Sequence, residues 1–69
     1  MDYTLECEQD VDGRWLAEVP QLIGVLAYGV TRDEALVKAQ ALALRVLAER
    51  LELPRSRPQP FRMMLSAGA

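Results

Sequence analysis

The chain has 69 residues, of which 51% are apolar and 26% charged, with no histidine, one cysteine and a net charge of −2. This composition excludes a disordered chain and predicts a single small packed domain. One thiol excludes an internal disulfide, and the missing histidines deprive a structural zinc site of its usual ligands, so self-association is the remaining common way to stabilise so small a core. We therefore expect a homo-oligomer, either a dimer or a tetramer.

The first two predicted elements are strands joined by a tight turn. Residues 3–9 and 14–19 alternate apolar and polar side chains, which is the period of half-buried strands. A three-residue loop that ends at Gly13 sets Cys7 opposite Ala17 and brings the apolar faces of both strands together, whereas a two-residue loop mixes the faces. The sequence therefore predicts the three-residue loop, with Gly13 in the left-handed conformation.

The two faces of this hairpin differ in chemistry. The inner face carries Trp15, which we expect to be the main core side chain, and the outer face carries Leu16 among the carboxylates of Glu6, Glu8 and Glu18. An apolar residue inside a charged rim is typical of a binding patch. The register also places Glu6 opposite Glu18, which destabilises the pair unless a cation or a basic partner lies there. We rank a solvated face first, a contact surface for a basic protein a close second, and a metal site a distant third.

A third strand is predicted over residues 23–29, after a proline ends the second strand. Its side chains are apolar on both faces, which a sheet covered on one side does not require. Either another subunit covers the second face or a strand edge is buried by pairing, and both interpretations imply an oligomer. The candidates for self-association are Leu26 and Tyr28 of this strand and Met64 near the end of the chain.

The most regular pattern in the chain predicts a helix. Thr31 and Glu34 form a capping box at its start, and two ion pairs at four-residue spacing, Glu34 with Lys38 and Arg45 with Glu49, support it. The helix is predicted to run to about residue 51, and its apolar stripe consists of Leu36, Ala39, Ala43, Val46, Leu47 and Leu51.

The segment after the helix predicts one more strand. Pro54 stops the helix, and a stiff, basic, proline-rich connector follows it. Alternation over residues 61–66 predicts a short last strand, and residues 67–69 are a loose tail. The expected fold is α+β in the order β-β-β-α-β: a three-stranded antiparallel sheet, a short fourth strand and one helix packed on one face. Residues 1–66 make up the single domain.

Charge is distributed unevenly along the chain. Residues 1–34 carry eight acidic and two basic side chains, whereas residues 35–69 carry six basic and two acidic ones. An acidic first half argues against nucleic-acid binding by the sheet and favours a basic protein partner. Histidine is the usual general base in catalysis, and this chain has none. We therefore expect no enzymatic activity and no catalytic residue, and we also expect no metal or cofactor. With no apolar run of about 20 residues and no signal peptide, we expect a cytoplasmic protein without a membrane span.

An ordered set of residues runs from the first strand to the first turns of the helix: Tyr3, Asp10, Asp12, Gly13, Trp15, Ala17, Glu18, Val19, Pro20, Leu22, Gly24, Val25, Gly29, Thr31, Glu34, Ala35 and Leu36, with Pro54 and Ser56 after the helix. In this order they resemble the pattern of HicB-like antitoxin domains. The chain departs from that pattern at Ile23, where the family often has proline, and at Ala41, where an acidic residue is common.

The resemblance implies a partial RNase-H-like fold with a fourth strand beside the first. It also implies a protein that neutralises a small basic HicA-type toxin, an enzyme that cleaves mRNA. Many members carry a DNA-binding segment after this domain, and this chain ends before one, so we expect no direct DNA binding from it.

Two functional hypotheses follow from the residues and the resemblance. In the first, Glu6, Glu8, Leu16 and Glu18 contact the toxin, and the acidic face blocks access of RNA to it. In the alternative, the chain is an orphan homo-oligomeric scaffold or regulatory module without a cognate toxin.

Overall fold

The computed structural model describes residues 2–65, which form a four-stranded sheet and one helix. The elements are β1 (Asp2–Gln9), β2 (Trp15–Glu18), β3 (Leu26–Gly29), α1 (Arg32–Glu52) and β4 (Arg62–Leu65). The sheet order is β3-β2-β1-β4, with β1–β2 and β2–β3 antiparallel and β4 parallel to β1. The α+β class and the order β-β-β-α-β are confirmed, as is the fourth strand beside the first. The predicted tail over residues 67–69 lies outside the described residues.

The turn between β1 and β2 has the predicted three-residue loop. The amide of Asp10 donates to the carbonyl of Arg14 at 2.7 Å, and the amide of Gly13 donates back to the Asp10 carbonyl at 3.0 Å. Gly13 is left-handed, with a φ of 93°. Cys7 pairs with Ala17 as predicted, because only this register places the apolar residues of both strands on the helix side.

The third strand begins later than predicted, at Leu26 instead of Ile23. The chain between β2 and β3 folds into a turn in which the amide of Val19 donates to the carbonyl of Val25 at 3.0 Å. The Val25 amide in turn donates to the carbonyl of Leu22 at 3.1 Å. This turn buries Leu22 and Val25 and leaves Ile23 fully exposed at its tip, so the apolar run predicted as strand is partly a core-filling turn.

The core lies between the sheet and α1. Tyr3 is its largest fully buried side chain, and the prediction that Trp15 is the main core residue is wrong. Trp15 packs against the core but remains partly exposed, because it begins β2 at the end of the sheet, where its strand neighbour Gln9 is also exposed. The other buried residues are Leu5, Cys7, Ala17, Val19, Leu22, Val25, Ala35, Leu36, Ala39, Ala43 and Leu47.

The start of α1 is fixed by its cap. The amide of Glu34 donates to the hydroxyl of Thr31 at 3.1 Å, as a capping box requires. The Glu34 carboxylate accepts from the amide of Val30 at 3.0 Å, one residue before the expected donor. The Lys38 ammonium lies 3.4 Å from the same carboxylate, which confirms this predicted ion pair. It also donates to the carbonyl of Tyr28 at 3.3 Å and so ties the helix to the edge strand β3.

Two details of the helix prediction are wrong. Leu51 is exposed instead of buried, because at 3.6 residues per turn it lies on the side of Val37 and Leu44, which face away from the sheet. Arg45 and Glu49 do not approach within ion-pair distance, although both belong to the described chain. The rest of the predicted stripe packs on the sheet, with Val46 only partly buried.

The capping interactions of Glu34 make the free energy of unfolding depend on pH. Hydrogen bonding from the Val30 amide, and then the nearby Lys38, lowers the pKa of Glu34 in the folded protein. Ionised Glu34 therefore stabilises the fold above the unfolded glutamate pKa of about 4.3, and this contribution is lost as the pH falls through the lower folded-state value. We expect Glu34→Gln to lose less stability than the wild type between neutral and acidic pH, as measured by urea unfolding at several pH values.

The matched control for this experiment is Glu49→Gln, which changes an exposed glutamate of the same helix that makes no ion pair in the described chain. This variant should show the same pH dependence of the free energy of unfolding as the wild type. Equal slopes for Glu34→Gln and the wild type would contradict the prediction.

Candidate functional site

The candidate site is the face of the sheet opposite the helix, here called the outer face. Strand alternation directs every second side chain of each strand to this face. The strand register arranges six of them in two rows across β1, β2 and β3. One row is Glu8, Leu16 and Tyr28, and the other is Glu6, Glu18 and Leu26. The structure therefore brings all four predicted toxin-contact residues together.

The outer face is shallow and accessible. Glu6 and Glu8 are exposed, whereas Leu16 and Glu18 are partly buried at the centre of the two rows. A shallow depression is lined by Glu6, Cys7, Glu8, Leu16 and Glu18. A second depression continues it toward the β1–β2 turn and is lined by Glu8, Gln9, Asp10, Val11 and Leu16. Leu16 thus lies between two acidic hollows, the arrangement of an apolar centre within a charged rim.

The carboxylates of the outer face have no cation of their own. Within residues 2–65, the ion pairs join Arg14 to Asp12, Lys38 to Glu34 and Arg62 to Asp2. Glu6, Glu8 and Glu18 take part in none of them. Glu6 and Glu18 are direct cross-strand partners, so their like charges repel across the β1–β2 pair. In the same part of the chain, no group of three or more acidic or cysteine side chains is placed to hold a metal ion.

Arg14 places a cation at the border of the outer face, which the sequence pattern did not predict. The guanidinium of Arg14 lies 4.9 Å from the centre of the Tyr28 ring and 3.1 Å from the Asp12 carboxylate. The register signals this contact, because Trp15 pairs with Gly29 and the preceding residue is then a diagonal neighbour of Tyr28. Arg14 therefore covers Tyr28, at the end of the row of Glu8, Leu16 and Tyr28. It does not pair with the carboxylates of Glu6, Glu8 or Glu18.

The three predicted self-association residues do not form one patch. Leu26, Tyr28 and Met64 are all exposed. Leu26 and Tyr28 belong to the edge strand β3, whereas Met64 pairs with Thr4 on β4, at the opposite edge of the sheet. Two strands separate them, a distance of about 14 Å. Leu26 and Tyr28 instead extend the acidic rows around Leu16.

The side chain of Cys7 belongs to the core, although the residue also borders the first depression of the outer face. Its side chain is buried on the helix side of β1, and this burial raises the pKa of its thiol, with Arg32 opposing the shift. A neutral, buried thiol is a weak nucleophile, so Cys7 acts as a core residue.

Comparisons with protein-family models, with characterised proteins and with solved structures find no match for this chain. Within residues 2–65, no helix has the length and apolar character needed to cross a membrane.

Proposed function

We propose that this protein is an antitoxin-like domain that binds a small, basic ribonuclease through the outer face and blocks its access to RNA. The observation that carries the proposal is the set of three uncompensated carboxylates around Leu16, described above. The resemblance to HicB-like antitoxin domains supplies the class of partner, a HicA-type toxin in the cytoplasm.

The energetics of the face support a partner of positive charge. Facing glutamates reduce the stability of a sheet, because like charges directly opposite one another repel. A guanidinium or ammonium group placed between Glu6 and Glu18 converts that repulsion into attraction. Ribonucleases need basic residues to hold the phosphates of RNA, so an acidic surface is complementary to the region that they must keep free.

The mechanism requires no chemistry from this chain. The acidic rim accelerates encounter and fixes orientation, while Leu16 and its neighbours Leu26 and Tyr28 contribute apolar contact at the centre of the complex. Occupation of the basic surface then excludes RNA by steric hindrance and charge competition. Because the attraction is electrostatic at the rim, the rate of association should fall as the salt concentration rises.

A charge reversal tests the proposed face. The partner to be tested is a small, basic, histidine-containing protein that co-purifies with the tagged chain, and binding to it is measured by calorimetry. The double variant Glu6→Lys with Glu18→Lys should weaken binding about a hundredfold, since it places like charges against the basic partner. The fold should persist, because the substitution exchanges one repulsive like-charge pair for another, and Glu6 is exposed while Glu18 is only partly buried.

The matched control is Asp33→Lys with Glu49→Lys, which changes the net charge equally but on the helix layer. It should bind within a few-fold of the wild type. An equal loss of affinity in both double variants would show that net charge alone causes the effect. Unchanged affinity in the variant of Glu6 and Glu18 would show that the outer face does not bind the partner. A protein that binds no such partner would favour the alternative, an orphan homo-oligomeric module.

A further inference from the structure

A cavity of about 230 Å³ lies where the end of α1, the proline-rich connector and the start of β1 meet. Its walls are partly apolar and partly polar, with Tyr3, Leu51 and Phe61 in the first part and Arg50, Arg57 and Gln59 in the second. None of the residues of the outer face borders it. It is therefore a separate place on the molecule, here called the connector cavity.

The connector wall of this cavity is held in place by hydrogen bonds to the end of the helix. The hydroxyl of Ser56 donates to the carbonyl of Arg50 at 2.7 Å, and the Ser56 amide donates to the carbonyl of Leu53 at 3.2 Å. Arg55, the residue before Ser56, has a φ of 70°, a left-handed conformation that is uncommon outside glycine. Such a conformation persists only where the surrounding contacts determine it, and it occurs frequently beside bound ligands. The connector cavity is therefore formed before any ligand arrives.

Two guanidinium groups give the connector cavity a positive charge. Within residues 2–65, neither Arg50 nor Arg57 takes part in an ion pair. Residues 45–62 carry five arginines against two glutamates, although the whole chain has a net charge of −2. Two arginines match the charge of a phosphate monoester, about −1.5 to −2 at neutral pH, better than that of one carboxylate. The planar guanidinium group also suits phosphate oxygens, because it donates two parallel hydrogen bonds to them.

The apolar wall offers a surface to a flat ring. Phe61 and Leu51 are both exposed, and the centre of the Phe61 ring lies 6.0 Å from that of the buried Tyr3 ring, which supports it from below. An accessible aromatic ring together with arginines is the combination on which nucleobases stack. The cavity is smaller than the roughly 300–1,000 Å³ of sites for drug-sized ligands. It therefore suits one base and one phosphate and not a longer ligand.

We propose that the connector cavity binds a free nucleoside monophosphate, with the phosphate held by Arg50 and Arg57 and the base stacked on Phe61. The ligand class follows from the combination of two uncompensated arginines, one accessible aromatic ring and a small volume. Binding is measured on this protein alone, at a place apart from the outer face. The proposal therefore does not depend on the proposed function.

Titration of the ¹⁵N-labelled full chain with adenosine 5′-monophosphate (AMP), followed by NMR, tests the site. We expect saturable binding with a Kd on the order of 0.1 mM, and shifts concentrated in residues 50–61. Inorganic phosphate and adenosine each supply only part of the ligand, so both should bind at least about tenfold more weakly. The absence of saturable AMP binding would overturn the proposal. Inorganic phosphate that binds as tightly as AMP would also overturn it, since the cavity would then accept any anion.

Substitution of the two arginines tests the phosphate contact. Arg50→Gln and Arg57→Gln should each weaken AMP binding about tenfold, because each removes one charged donor. The matched control is Arg45→Gln, which changes an exposed arginine of the same helix that does not line the cavity. It should bind AMP within about twofold of the wild type. A loss in Arg45→Gln equal to that in Arg50→Gln would show a general charge effect and overturn the assignment.

The stacking contact is tested with Phe61→Leu, which keeps an apolar side chain beside Tyr3 and removes the ring. AMP binding should weaken about fivefold, whereas the affinity for inorganic phosphate should stay unchanged, because stacking involves only the base. Unchanged AMP affinity in this variant would overturn the placement of the base on Phe61.

A 5′-phosphorylated adenosine dinucleotide tests the length of the ligand. It should bind no more tightly than AMP, because Phe61 is the one exposed aromatic ring in the wall of the cavity, within the described chain. Binding about tenfold tighter than that of AMP would assign the cavity to an RNA strand and overturn the proposal of a free mononucleotide.

Discussion

Replacement of Tyr3 by alanine is expected to destabilise the protein by about 4 kcal/mol. Tyr3 is 1% exposed and is the largest side chain that the core encloses completely, so its removal leaves a cavity that a small domain cannot refill. The whole stability of a 69-residue domain is only on the order of 3–10 kcal/mol. Urea unfolding, followed by the fluorescence of Trp15, should therefore show a transition shifted toward zero denaturant or no folded baseline.

The second ring of the same aromatic pair provides the control. The ring centre of Phe61 lies 6.0 Å from that of Tyr3, but Phe61 is 37% exposed. Phe61→Ala removes a partly solvated ring and the pair interaction, and should cost about 1 kcal/mol. Similar losses in the two variants would show that Tyr3 does not have the central place in the core that its burial indicates.

Replacement of Gly29 by alanine is expected to cost about 3 kcal/mol, because the added methyl group has no space. A Cβ atom at this position would lie 2.5 Å from the backbone nitrogen of Ala35 and 3.0 Å from the Cβ of Glu34. The end of β3 and the first turn of α1 would have to separate. That movement would also disturb the contact of Lys38 with the carbonyl of Tyr28, which holds the helix to this edge strand. Thermal or urea unfolding measures the loss.

A glycine in open space serves as the control for this steric effect. Gly24 has a φ of 85°, and a Cβ placed on it would have no heavy atom within 4 Å apart from those of Gly24 and its two chain neighbours. Asparagine tolerates the left-handed conformation better than most residues, so Gly24→Asn should cost less than about 1 kcal/mol. If Gly29→Ala cost no more than Gly24→Asn, the close approach of β3 and α1 would not be a constraint on the fold.

The hairpin shows why part of the outer face was predictable. A one-residue slip moves every side chain to the other face, so the alternation in β1 and β2 permits one register, and the loop ending at Gly13 agrees with it. The facing of Glu6 and Glu18 followed from that register alone. The addition of Leu26 and Tyr28 to the rows depended on the pairing of β3, whose start the apolar run around Ile23 obscured.

The exposed side of α1, with Val37, Leu44 and Leu51, shows the opposite case. Apolar residues occur on most of the circumference of α1, and the sequence pattern does not state which of them the sheet covers. Leu51 was expected in the core with Leu47, yet only Leu47 is buried. A helix packs only one side on a sheet, so its apolar residues on the other sides remain exposed. Val37 and Leu44 are recognised as surface residues only when the position of the sheet relative to α1 is known.

The sequence by itself determined the strands of the hairpin, their register, the capped start of the helix and the order of elements, since these depend on short-range periodicity and local hydrogen bonds. Only the tertiary structure decided that the turn at Val25 belongs to the core, that Tyr3 and not Trp15 is its centre, and that Leu44 faces solvent. The physical reason is that burial depends on which element covers a residue. That cover comes from segments distant in sequence, whose arrangement no local pattern encodes.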